Sequence, residues 1–451
     1  MAATGGDRIS AAQAMLTTRV DPARVVTAGA ELAAAAAVWS GAVQHQPALV
    51  VRCGSTGDVQ HAVRTARECG LPLSVRARGH DWTGRAIRPG GLVLDLRDLH
   101  AVTVHDGVAT VAGGASAEDV AVAADRYGLA VAAGTVGAVG MVGFTLAGGY
   151  GPLCGRLGLA ADNLLAAQVV LADGQVVHAG PDGDTDLLWA LRGGGGNFGV
   201  VTSMELALHP LPELLVGSFR FALEEAEQVL ARHAELIRTA PEDLTVILAI
   251  VPGPEGEPVI AVSPTWCGPD PDGHAAMAEV AALGTPLGSK VAAMSPLARL
   301  RQLDGAFPDG EHYEIRTRSL ATLTPASTAT LLEAYSARRR TTSFLNLQHF
   351  HGMATRPGLG DTAFGRREGH LMVEMIERGG PLSSWPKETS AALAEHALPG
   401  GYPNFFGADD CEQADAAYGS NTGRLLEIKR RLDPDGVFQA TPLPAADDLS
   451  S

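Results

Sequence analysis

A histidine at a forced turn is the first residue with chemical promise. Leu71 to Val75 has the apolar density of a strand, and it breaks into Arg76-Ala77-Arg78-Gly79-His80-Asp81-Trp82. An imidazole in such a place can act as a general base, as an attachment point, or as plain loop filler. Glycines cluster at three separate places: Gly79, the tract Gly134 to Gly151, and Gly193 to Gly199. Glycine lets a backbone approach a ligand closely and leaves N–H groups free for anionic oxygens. Three such places suit a long cofactor carrying a pyrophosphate; the alternative is a turn-rich chain. Gly194, Gly196 and Gly199 match G-x-G-x-x-G. That motif here follows a helix and opens a strand, the reverse of the order in a dinucleotide-binding β–α–β unit, so that unit is not expected. The sequence contains no Walker A loop, H-E-x-x-H or G-x-S-x-G elbow.

The elements that must position these residues alternate in the first half. "ALVVRCGS" reads as a strand and "TGDVQHAVRTARECG" as a helix stopped by Gly70. The strands "LPLSVRA", "GLVLDLRDL", "AVTVHDG" and "VATVAGG" follow, then a helix in "SAEDVAVAADRYG" with Ser116 as its cap. "LLAAQVVLADGQVVHAG" predicts a hairpin turning at Asp173-Gly174, and a short helix spans Asp184 to Arg192. Past Pro212 the texture changes to long strands: "LLVGSFRFAL", "LTVILAIVPG", "PVIAVSPTW", "HYEIRTRSL", "TSFLNLQHFHG" and "HLMVEMIER". They predict one large, mostly antiparallel sheet with helices between some of its strands, an α+β arrangement. The tail "CEQADAAYGSNTGRLLEIKRRLDPDGVF" reads as one helix closed by Asp433-Pro434.

The 451 residues are enough for two sizeable domains, and 46% hydrophobic with 19% charged residues is a globular composition. A net charge of −16 argues against nucleic acid or an anionic membrane as partner. Met1 to Val38 shows no basic stretch leading into an apolar one, and the Ala-rich run Leu32 to Trp39 is too short to span a bilayer. A cytoplasmic location is expected. The five cysteines are scattered without a C-x-x-C pair, so neither a disulfide scaffold nor a metal site is expected.

Three blocks carry a resemblance: "VWSGAVQHQPALVVRCGSTGDVQHAVRTARECGLPLSVRARGHDWTG", "AGTVGAVGMVGFTLAGGYGPLCGRLGLAADNLLAAQVVLADGQ" and "DLLWALRGGGGNFGVVTSMELALHPL". With the tail "GGYPNFFG…AYGSNTGRLLEIKRRLDPDGVF", the chain resembles FAD-linked oxidases of the vanillyl-alcohol-oxidase superfamily, in the berberine-bridge-enzyme-like branch. The resemblance implies an α+β fold: a PCMH-type FAD-binding domain of two α/β subdomains, and a substrate domain whose large antiparallel sheet is covered by helices. The expected bounds are 1–212 for the FAD domain (core about 45–212), 213–400 for the substrate domain, and 401–451 for a segment returning to the first.

In that branch the loop histidine is bonded to the 8α carbon of FAD, and the matching position is His80. Neutral imidazole is a nucleophile and the 8α position is electrophilic. Arg78 stands where the family loop has glycine. Some relatives add a cysteinyl bond from a G-x-C-x-x-V-G segment; here Val136 occupies that place, so attachment through His80 only is expected. The resemblance implies cofactor contacts from Arg76, Ala77, Arg78, Gly79, His80, Asp81 and Trp82. The second block adds Gly134, Thr135, Val139, Gly140, Gly143, Gly148, Gly149, Tyr150 and Asn163. The third adds Gly199, Val200 and Val201, and the tail adds Asn404 and Gln439.

The sheet should roof the flavin, and strand parity selects its inward residues. In "FLNLQHF", Leu345, Leu347 and His349 share one face, which should pack on helices with His349 as a satisfied core residue. Asn346 and Gln348 then look into the cavity. In "HLMVEMIER", Glu374 could be a base or a salt-bridged glutamate. Tyr313 and Glu314 point oppositely, with no ground for choosing. Tyr402, in the family's Tyr-x-Asn pattern, is the leading candidate for proton relay. The expected activity is oxidation of a small organic molecule in secondary metabolism or catabolism, by hydride transfer from a substrate C–H to flavin N5, with O₂ as electron acceptor. The alternatives are a flavin-dependent oxygenase or cyclase, or a catalytically silent flavin- or substrate-binding protein. The assembly expected is a monomer or homodimer.

Overall fold

Local rules start two of the expected helices where the sequence places them, while the helices Gly5–Arg19 and Gly29–Ala36 precede them without having been expected. Ser55 Oγ accepts the N–H of Asp58 at 3.1 Å and opens the helix Thr56–Glu68. That helix buries Val59, Ala62, Val63 and Ala66, one stripe at helical spacing. Ser116 and Asp119 form a reciprocal capping box at the start of the helix Ala117–Asp125. The computed structural model describes residues 5–211, 213–253 and 255–445. Pro212, at the expected domain boundary, lies outside the described residues, as do 1–4 and 446–451.

Three sheets carry the fold. The first holds β1 (Val25–Val26), β2 (Leu49–Arg52), β3 (Leu73–Arg76) and β4 (Leu92–Asp95) in the order β1-β2-β4-β3. β4 is parallel to both β2 and β3. The second uses β5 (Val102–His105), β6 (Val108–Ala112), β8 (Leu164–Val170), β9 (Val176–Ala179) and β10 (Val200–Ala207), in the antiparallel order β5-β6-β10-β8-β9. Two short strands, β7 (Leu129–Ala130) and β11 (His209–Pro210), pair separately. The expected hairpin joins β8 to β9, and Gly174 at its turn adopts φ +77°.

The third sheet is antiparallel throughout: β12 (Leu214–Ala222), β13 (Leu244–Pro252), β14 (Pro258–Trp266), β15 (Pro286–Met294), β16 (Tyr313–Leu320), β17 (Phe344–Phe350) and β18 (His370–Arg378). Their order is β15-β12-β14-β13-β17-β18-β16. β15 is the strand of this sheet that the sequence reading missed. Most of its residues are exposed, so it shows no buried face to betray it. Leu345 and Leu347 face a core with Leu230, Leu331, Trp385 and Leu393 from the covering helices. His349 is buried on the same face but is not satisfied. Its Nδ1 has no hydrogen-bond partner among the described residues, and its ring stacks on His351 at 3.8 Å.

The segment after Gly400 returns to the first sheets. Phe438 joins the core beneath β2 and β4. Asp433 closes the helix Thr422–Leu432, accepting the N–H groups of Val437 and Phe438 at 2.9 Å each. It also pairs with Lys429, whose ammonium donates to the carbonyls of Asn197 and Phe438 at 2.7 Å each. Replacing Asp433 by alanine leaves that half-buried ammonium without its counter-charge. Such a loss costs about 3 kcal/mol. Asp433→Ala is therefore expected to unfold at a lower temperature than the parent in circular-dichroism melts, and an unchanged melting temperature would show that this clamp contributes nothing.

Candidate active site

One large cavity lies between the first two sheets and the cavity face of the third, with a volume of about 1230 Å³. Pockets for a single small ligand run from about 300 to 1,000 Å³. This one has room for a dinucleotide and a small substrate together.

Glycines shape its floor. Gly79 takes φ +72°, turning the chain between β3 and His80. A Cβ on Gly140 would sit 3.2 Å from Ala77 Cβ and from the Arg78 nitrogen, so the two loops meet only because that side chain is missing. A Cβ on Gly143 would meet no atom within 4 Å, because the residue faces the open cavity. These glycines form a cradle that side chains would fill, which fits an extended cofactor. Ala77, Arg78, Gly79, His80, Asp81 and Trp82 line the cavity. Gly134, Thr135, Val139, Gly140, Gly143 and Tyr150 line it from the second block, and Gly199, Val200, Val201, Asn404 and Gln439 from the third block and the tail.

Four residues expected at the cofactor lie elsewhere. Arg76 is buried and donates to the Ala35 carbonyl, away from the cavity. Asn163 donates to the carbonyls of Leu157 and Leu159 at 2.9 and 2.8 Å, and its Oδ1 meets His209 Nε2 at 2.6 Å, so it ties a turn. Gly148 and Gly149 make room for protein. A Cβ on Gly148 would lie 2.8 Å from the Phe364 ring and 3.2 Å from Tyr402, and one on Gly149 would lie 2.5 Å from Ala160. Sequence shows that backbone is approached closely at such glycines, and not by what.

The His80 ring stacks on Trp39 at 4.2 Å, and Trp39 stacks on Tyr313 at 3.8 Å. Trp39 is fixed by its indole N–H to Phe307 O at 3.1 Å and its backbone N–H to Gly79 O at 2.8 Å. Enclosure removes water from the His80 imidazole and pushes its pKa down to about 4, so the ring is neutral at physiological pH. Burial works against the Asp81 carboxylate, but Arg85 and N–H groups of Ala86 and Thr83 outweigh it and hold the pKa below the ordinary range. Arg85 also donates to the carbonyls of Pro403 and Asn404 at 3.3 and 2.8 Å, binding the histidine loop to the tail. Arg78, in the glycine position of the family loop, turns its guanidinium to Asp119. Val136 lines the cavity.

On the roof, Asn346, Gln348 and Glu374 all face inward, as strand parity requires. Glu374 is 3% exposed, and no cation pairs with it among the described residues. Its Oε2 accepts from Asn346 Nδ2 at 2.7 Å and its Oε1 from Gln348 Nε2 at 2.5 Å. Burial pushes its pKa up to about 7, against the pull of the two amides. Tyr402 Oη accepts N–H groups from Gly149 at 3.0 Å, Tyr150 at 3.4 Å and Asn404 at 2.8 Å. Burial still lifts that phenol to about 12. Tyr150 Oη meets His370 Nε2 at 2.8 Å, and His370 Nδ1 meets the Glu368 carbonyl at 2.7 Å. Nδ1 therefore carries the proton and Tyr150 donates to Nε2.

Sequence reasoning missed Trp39, Arg85, Ser263 and Arg299, all of which line the cavity. Only Ser263 had a signal, its parity in "PVIAVSPTW". Among the described residues no helix is long and apolar enough to cross a membrane.

Comparisons with known proteins agree with this geometry. Residues 47–180 match the family model of an FAD binding domain, and residues 401–442 match that described as berberine and berberine like. (R)-6-hydroxynicotine oxidase of Paenarthrobacter nicotinovorans is 41% identical over 188 residues, a stretch that spans only 41% of each chain. The crystal structure of 6-hydroxy-D-nicotine oxidase from Arthrobacter nicotinovorans superposes with a TM-score of 0.83 at 27% identity, covering 93% of this chain and 97% of that one. Glucooligosaccharide oxidase of Acremonium strictum, described with a 6-S-cysteinyl, 8α-N1-histidyl FAD, superposes with a TM-score of 0.86 at 22% identity over 97% of this chain and 100% of that one. The two family matches meet in one cavity, through the His80 loop and the Tyr402 segment, and the chain as a whole is similar to the berberine-bridge-like FAD-linked oxidoreductases.

Proposed function

We propose that the protein oxidises a small organic alcohol or amine, with FAD held through His80 alone and Glu374 as the proton acceptor. The observation that carries this reading is the inward carboxylate of Glu374, poised near neutrality between two amides. A base works best when its pKa lies near the operating pH. Tyr402, at about 12, needs a stronger push than this cavity gives it.

The residues divide the work. Asn346 and Gln348 each donate to one carboxylate oxygen and fix its plane. Glu374 takes the proton from the substrate hydroxyl or ammonium on Oε1 or Oε2. Tyr402, pinned by three N–H groups, positions the far wall. FAD bound in this cavity would supply a hydride acceptor for the substrate C–H and a route for its electrons to O₂. The neutral His80 ring, held against Trp39, supports covalent attachment, since only unprotonated imidazole is a nucleophile. Val136 brings no thiol, which supports a single bond.

Two experiments test these roles. Denatured in acid, the parent protein should keep its yellow colour on the polypeptide, and His80→Ala should release it to the supernatant. Colour retained by the variant would place the bond elsewhere. For Glu374 the sign follows from its raised pKa: the base is charged, and active, above about pH 7. Anaerobic flavin bleaching by a panel of alcohols and amines, (R)-6-hydroxynicotine included, should speed up as pH rises through 7. Glu374→Gln should lose that limb and about a hundredfold or more in rate. The same raised pKa makes ionisation costly to the fold, so stability should fall as pH rises from about 4.5 to 7 in the parent and not in Glu374→Gln. A pH limb that survives in Glu374→Gln would assign the proton to another group.

A further inference from the structure

The cavity also carries a buried charged group on the opposite side of the roof from Glu374. Arg299, on the helix Pro296–Arg301, is 3% exposed and lines the cavity. Its Nε donates to Thr265 Oγ1 at 3.2 Å, one terminal nitrogen to Gln302 Oε1 at 2.8 Å, and the other to Ser263 Oγ at 3.3 Å. All three acceptors are neutral. The other deeply buried guanidiniums of the substrate domain are neutralised: Arg316 by Glu314, Asp409 and Asp410, and Arg367 by Asp162. A guanidinium offers five N–H groups, so two on Arg299 have no acceptor among the described residues. A cation taken from water without a counter-charge is costly unless something else supplies one.

Sheet register fixes where this group lies. Glu374 pairs with Asn346, Asn346 with Ala249, and Ala249 with Ala261. Ser263 stands two residues beyond Ala261, so it shares their face, and all five residues line the cavity. Ser263 on β14 is three strands from Glu374 on β18. At about 4.8 Å per strand the two are about 14 Å apart across the sheet. Between them the roof shows Ile247, Ala249, Val251 and Ala261, with no charge.

We propose that Arg299 is the anion-recognition end of the substrate chamber, so that the substrate is an organic carboxylate with an apolar body. Its carboxylate takes the two free N–H groups of Arg299, its body lies under the apolar strip, and its oxidisable carbon reaches Glu374. The inference rests on Glu374 marking the reacting end. Ser263, Thr265 and Gln302 hold the guanidinium flat for a two-pronged contact, the geometry arginine makes best with carboxylates.

The test is calorimetric titration of the purified flavoprotein at neutral pH with 5-phenylpentanoate and with 5-phenylpentanamide. The carboxylate should bind the parent at least about tenfold more tightly than its amide. Arg299→Met should abolish that preference and Arg299→Lys should keep part of it, with flavin content, covalent retention and melting temperature unchanged in both. Equal binding of the two probes by the parent overturns the proposal without need of any variant. So does a preference that survives in Arg299→Met, or loss of flavin from that variant, which would assign the arginine to the cofactor. Glu374→Gln should retain the preference, so failure of the proton-acceptor reading and failure of this one give different results.

Discussion

A carboxylate sealed inside protein must find a cation, find neutral donors, or give up its charge. Glu374 takes the middle course, and the architecture around it follows. Two amides on the neighbouring strand can meet its two oxygens only if β17 and β18 pair in the observed register, Asn346 against Glu374 and Gln348 against Met372. A slip of one residue in β17 would turn Leu345 and Leu347 into the cavity and bury the amides among the helices. The hydrophobic core on one face of the sheet therefore guarantees the polar triad on the other. The enclosure around it is what lifts the glutamate toward neutrality.

The opposite wall obeys a different constraint. His80 is neutral and held in place, and neither follows from its own loop. Trp39 supplies a flat surface from a segment some forty residues earlier, and Tyr313 backs that surface from β16 of the third sheet. Asp81 gathers the loop through the N–H groups of Thr83 and Ala86 and stays ionised beside Arg85. The cavity is thus a joint product of three parts of the chain.

Much of this was legible in sequence because it rests on short-range rules. Capping residues, the Asp173-Gly174 turn and the inward parity of Asn346, Gln348 and Glu374 all need only a few neighbours to decide them. The Gly194–Gly199 motif was separated from a dinucleotide fingerprint by its flanking elements, and β10 indeed follows it. What failed depended on partners distant in sequence. β15 shows no alternation because it is an edge strand wet on most of its length. Gly148, Gly149, Asn163 and Arg76 had the right residue types for a cofactor site, yet Phe364, Ala160, His209 and Ala35 are what they meet. Arg299 sits in "SPLARLRQL", where nothing distinguishes it from a solvated helix arginine.

The bonds from Arg85 to the Pro403 and Asn404 carbonyls span 318 and 319 positions of the chain. During synthesis the histidine loop leaves the ribosome long before the residues that brace it. A nascent chain can form the early sheets while one flank of its chamber is still untranslated. The brace between loop and tail is therefore a contact that only the released polypeptide can make.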